Sequence, residues 1–165
     1  MYKYLLSVQN VTMSEYRATV EWQLQGEFMY ATYSRAHAID FGHNVRLPGN
    51  AAPWNIPKTV AWTPGADPEQ LFIASLSTCH MLWFLHLAHD AKFVVERYRD
   101  EASGVLAKNA EGRQAMTRVT LRPVVSFTGA KPTPEQFTQL HHQTHERCFI
   151  ANSVKSEVIL EPRIT

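Results

Sequence analysis

Apolar and polar residues alternate through the first third of the chain. Tyr4, Leu6 and Val8 share one parity, and Tyr16, Ala18, Val20 and Trp22 share another. Period-two alternation predicts strands with one buried face. A third strand is predicted over 28–33, after a turn at Gly26. From 42 to 65 the breakers Pro48, Pro53, Pro57 and Pro64 predict a loop. So long a loop in a compact domain is functional or lies against another surface. The pattern then changes period. Residues 67–89 predict a helix apolar over most of its circumference, from Leu71 and Phe72 through Trp83, Phe84 and Leu87. Such a helix is central, covered by sheet, helix or a second subunit. Strands follow at 94–106 and 116–127, separated by a turn at Asn109, Ala110, Glu111 and Gly112. A second helix over 133–147 and a strand over 154–160 complete the order β-β-β-α-β-β-α-β. Strands and helices that neither alternate as βαβ nor segregate by type predict the α+β class.

The two helices open with the same signal. Asp67-Pro68-Glu69-Gln70 and Thr133-Pro134-Glu135-Gln136 each supply a capping residue, a proline at the first helical position and a glutamine at the third. Each helix also carries one of the chain's 2 cysteines, Cys79 and Cys148. Cys79 shares a helix face with Phe72, Leu76, Leu82, Trp83 and His86. It lies too far from the helix start for the dipole to lower its pKa, so an active thiolate there needs a cation, most plausibly an arginine. Phe137, Leu140, Thr144 and Cys148 form one stripe, which predicts that Cys148 points into the core. Inert core thiol, metal ligand and redox-active thiol all remain open at this point. His141, His145 and Cys148, in the pattern H-x3-H-x2-C, are candidate metal ligands without an evident fourth. His86 and His89 form a second spaced pair. Trp54 and Trp62, large apolar groups in the long loop, are expected to cover a pocket or a neighbouring subunit.

Bulk properties narrow the partners. With 165 residues, 45% of them hydrophobic and 19% charged, the chain is expected to form a single domain, 1–165. A net charge of +1 gives no reason to expect nucleic acid or an anionic membrane. The N-terminal MYKYLLSVQN lacks the apolar core of a signal peptide, and no continuous apolar run approaches ~20 residues. A cytoplasmic location is the expectation, and a reducing compartment argues against a purely structural disulfide.

The stretch from Asp67 to His80 (DPEQLFIASLSTCH), together with the segment from Cys148 to Lys155 (CFIANSVK), resembles the signature of the OsmC/Ohr family of osmotically inducible and organic-hydroperoxide-resistance proteins. The resemblance extends over nearly the whole chain. It implies an OsmC-like fold, an intertwined homodimer with active sites at the subunit interface, and thiol-dependent reduction of organic hydroperoxides. By the same resemblance Cys79 is the peroxidatic thiol, Cys148 the resolving thiol and Glu69 an active-site glutamate. An arginine of the N-terminal half activates the thiolate, Arg35 first and Arg46 second. An external dithiol or a lipoylated protein is the implied reductant, and no cofactor or metal is expected. A redox sensor or apolar-ligand-binding protein on the same fold is the competing reading. Glu69 lies ten residues before Cys79, ~15 Å along an unbroken helix. Glu69 is therefore expected to serve Cys79 of the other subunit, unless the helix kinks between them.

Overall fold

The computed structural model describes residues 13–165, which form two compact units divided after Asp67. The predicted strand at Tyr4, Leu6 and Val8 lies outside the described residues.

The N-terminal unit holds one antiparallel sheet of β1 (Thr19–Glu21), β2 (His37–Asp40) and β3 (Arg46–Gly49), in that order. The predicted strand at 28–33 is instead a turn: the Met29 carbonyl accepts from the Thr32 and Tyr33 amides, and Thr32 Oγ1 donates to Glu27 O. Conversely, part of the predicted loop is β3. Pro48 reads as a breaker, but β3 is an edge strand, where a missing N–H costs no ladder bond. The β2–β3 hairpin turns through Gly42, His43 and Asn44, all with positive φ, and Asp40 Oδ1 accepts the Gly42 amide at 2.7 Å. Beyond β3, a 3-10 turn at Pro53–Asn55 and buried Asn50 order the remaining segment. Asn50 Nδ2 donates to Thr63 O at 2.8 Å, and Gly49 bridges to Ala66. Trp54 stays exposed, while Trp62 Nε1 donates to Ala51 O.

The C-terminal unit contains helix α1 (Pro68–Asp90), helix α2 (Pro134–Arg147) and two three-stranded sheets. One sheet has the order β4 (Val94–Asp100), β7 (Pro123–Thr128), β9 (Arg163–Ile164); the other is β5 (Ser103–Lys108), β6 (Gln114–Leu121), β8 (Glu157–Leu160). Each long strand expected at 94–106 and 116–127 is thus two strands, parted at 101–102 and at Arg122. Asp100 fixes the break, since its carboxylate accepts the Arg122 amide and the Ser77 hydroxyl, both at 2.6 Å. The turn between β5 and β6 is the expected one: Asn109 Oδ1 accepts the Glu111 and Arg113 amides, and Gly112 has φ 75°. The two C-terminal strands pair parallel, β8 on β6 and β9 on β7.

Helix α1 spans both cores of this unit. Leu76 packs with Val119 and Leu121 near β5-β6-β8. Phe84, Leu87 and Ala88 pack with Val125, Phe127, Phe137 and Leu140 between β4-β7-β9 and α2. Gly104 on β5 allows the close approach of α1, for a Cβ there would lie 2.8 Å from Ile73 Cδ1. By length and composition α1 would pass for a membrane span. Scanning for an uninterrupted apolar run misses this, because serines, threonine and histidines punctuate the helix. Its buried positions, Leu76, His80, Phe84, Leu87 and Ala88, make one stripe of a core helix.

Candidate active site

Helix α1 presents Cys79 half-buried, one position off its buried stripe. Helix α2 begins in a full capping box: Thr133 Oγ1 accepts the Gln136 amide, and Gln136 Oε1 accepts the Thr133 amide. Fourteen residues later it ends at Cys148, which is only 1% exposed. The predicted stripe of Phe137, Leu140, Thr144 and Cys148 is buried throughout. After Cys148 the chain enters a 3-10 turn at Ala151–Ser153, and the Ala151 amide donates to Cys148 Sγ at 3.4 Å.

The two thiols meet. Burial first, then the neighbouring Cys79 thiol, push the Cys148 thiol up to about 11. Cys148 therefore keeps its proton at neutral pH, while Cys79 is the more open of the two sulfurs. Next to them is an aromatic corner. Trp83, one turn after Cys79, meets Phe149 edge-on at 5.5 Å, and Phe149 and Leu82 are exposed.

A second contact between α1 and α2 involves two histidines. His80 Nε2 and His141 Nδ1 are 2.9 Å apart, with rings only 6° from parallel planes. Both side chains are buried, at 1% and 2% exposure. Burial pushes His80 down to about 4, helped by nearby His145, and pushes His141 down to about 3, helped by His80. Two neutral imidazoles share one N–H···N bond, so one donates and the other accepts. This pairing takes up His141, one of the three metal ligands considered. Among the described residues no three His, Cys, Asp or Glu side chains converge as a metal site. Sequence reasoning missed the pair, although its signal was present: His80 lies four residues from both Leu76 and Phe84, and His141 four from Phe137.

Glu69 sits in the first turn of α1, and the helix runs from there past Cys79 without a 3-10 or π interruption. Arg35 and Arg46 belong to the N-terminal unit. Arg35 lines a cavity of about 380 Å³ with Val20, Trp22, Phe28, Tyr33 and His37. Its guanidinium donates to Tyr33 O at 2.6 Å and Tyr30 O at 2.8 Å, and lies 3.7 Å from the Tyr33 ring centroid. Arg46 pairs with Glu21 at 2.8 Å.

An α+β unit that carries two cysteines on separate helices, thiol against thiol, defines a dithiol protein. The chain belongs to the OsmC-like family, whose model matches residues 62–163. It is similar to the solved structure of an OsmC-like protein of unknown function from Vibrio cholerae, at 42% identity and TM-score 0.86, covering 91% of this chain and 99% of that one. An organic hydroperoxide resistance protein from Elizabethkingia anophelis shares the fold at 16% identity and TM-score 0.64, covering 94% and 98%. The organic hydroperoxide resistance protein OhrB of Bacillus subtilis shares it at 20% identity and TM-score 0.58, covering 91% and 98%. No curated protein sequence matches the chain. The α+β class and OsmC-like fold expected from the sequence are those observed.

Proposed function

We propose that the protein is a thiol-dependent peroxidase that reduces organic hydroperoxides. The contact between Cys79 and a protonated, buried Cys148 carries this reading. Cys79 thiolate attacks the outer oxygen of the hydroperoxide. The O–O bond breaks, and the alkoxide leaves and takes up a proton as an alcohol. Cys79 is now a sulfenic acid. Cys148 sulfur attacks it, and the hydroxyl leaves as water with the Cys148 proton. An external dithiol, small or protein-borne, then reduces the disulfide. Trp83, Phe149 and Leu82 supply apolar contact for the organic part of the substrate, which favours bulky peroxides over hydrogen peroxide.

The reading includes a homodimer. Helix α1 is apolar nearly all round, yet it buries one stripe, and Leu82 is 59% exposed. A second copy of the chain would cover the rest. It would also bring Glu69 to the partner's Cys79, since in one chain the two are separated by ~15 Å of unbroken helix. Arg35 is the preferred activating cation, because Arg46 is neutralised by Glu21 while no carboxylate pairs with Arg35 among the described residues. The names of the hydroperoxide-resistance relatives point to the same chemistry.

Thiol titration after one equivalent of an alkyl hydroperoxide tests the proposal. Two thiols should disappear and return with dithiol, and Cys79→Ser should consume no peroxide. Full peroxide consumption by Cys79→Ser refutes it. Oxidation without repeated turnover would favour the redox sensor instead.

A further inference from the structure

The His80–His141 pair and the thiol pair join the same two helices at different points. On α1, His80 directly follows Cys79, so the two side chains diverge by 100° around the axis. At a side-chain radius of ~5–6 Å that divergence separates their tips by roughly 8–9 Å. On α2, His141 and Cys148 are seven residues apart, close to two full turns, and so lie on one face ~10.5 Å apart along the axis. The two contacts therefore lie side by side on α1 and two turns apart on α2. One contact between crossed helices leaves their angle free. Two contacts about 10 Å apart fix both angle and translation.

We infer that the His80–His141 hydrogen bond is the second point of this clamp, and that both imidazoles are positioning residues for closure of the Cys79–Cys148 disulfide. The rings are themselves held. Phe84 stacks on His141 at 4.4 Å and 21°, and Phe137 meets it edge-on at 4.6 Å. Capping at Thr133 and the turn after Cys148 fix the two ends of α2. A disulfide needs its Cα atoms within ~4.4–6.8 Å, so a small slide of α2 moves the thiols out of range. The inference rests on Cys79 and Cys148 forming a disulfide, but not on peroxide being the oxidant.

A glutathione redox buffer separates the two claims. There the protein dithiol and glutathione disulfide exchange to give the protein disulfide and two molecules of glutathione. His141→Leu removes the hydrogen bond while keeping an apolar side chain, and His141→Asn restores a polar atom near the Nδ1 position. In folded His141→Leu the equilibrium constant for disulfide formation should fall by about tenfold, the size of an ordinary coupling between two linked contacts. His141→Asn should recover most of that loss. A folded His141→Leu with the wild-type constant overturns the inference. If that variant does not fold, the wild-type protein decides through its imidazole 15N signals. Clamp and disulfide are reciprocally linked, so solvent exchange of the shared N–H should slow by about tenfold on oxidation. An unchanged exchange rate overturns the inference. Peroxide plays no part in either measurement. A protein inert to hydroperoxides but showing these shifts would refute the proposed function alone, and an active peroxidase lacking them would refute the clamp alone.

Discussion

Acidification from pH 7.5 to 5.0 puts protons on His80 and His141 in the unfolded chain but not in the folded one. Their folded pKa values, about 4 and about 3, lie below the ordinary 6.5. The unfolded state therefore binds more protons as pH falls through 6.5, and stability falls with it. At pH 5.0 an unfolded histidine is nearly fully protonated, worth roughly 2 kcal/mol to the unfolded state, while both folded rings remain neutral. The two rings together cost roughly 4 kcal/mol, a figure insensitive to how far below 5 the folded values lie. Carboxylates titrate mostly below this window. Urea unfolding at the two pH values should show the midpoint dropping by about 2 M, for an m-value of about 2 kcal/mol/M. In His80→Gln/His141→Asn most of the drop should vanish. A double variant that loses as much stability as wild type would refute the assignment of two buried neutral imidazoles.

Other expected outcomes follow from the same geometry. Cys148→Ser should react once with a hydroperoxide and stall as a sulfenic acid at Cys79, read by mass spectrometry after trapping; repeated turnover with a dithiol would remove Cys148 from the cycle. Gly104→Val should destabilise the C-terminal unit by about 1–3 kcal/mol, because the new side chain meets Ile73 and Met116; an unchanged melting temperature would mean α1 does not press on β5. Thr133→Ala should cost about 1 kcal/mol through loss of the capping box, measured by urea unfolding.

Where local chemistry decides structure, the sequence was legible. Pro68 and Thr133 start their helices, Asn109 and Gly112 make their turn, and the stripe ending in Cys148 is buried. Where distant groups decide, it was not. The breaks at 101–102 and Arg122 depend on Asp100 receiving Ser77 and the Arg122 amide, partners 22 and 23 residues away. β3 was hidden because Pro48 has a different meaning at a sheet edge. Even the strongest local signal in 28–33, a run of aromatic and β-prone residues, yields to a turn closed on Met29 and Glu27. The family resemblance named Cys79 and Cys148. Their meeting, and the histidine pair beside it, follow from how α2 crosses α1, which no spacing within either helix encodes.

The short strands β8 and β9 close one sheet each, and both come from the last nine residues. Glu161 links them across, its amide donating to Leu121 and its carboxylate accepting from Arg122. Neither sheet is complete until this tail has docked some 40 positions back along the chain. Pairings so distant in sequence slow folding. Removing residues 161–165 should leave β7 with a newly bare edge, open to pairing with other chains.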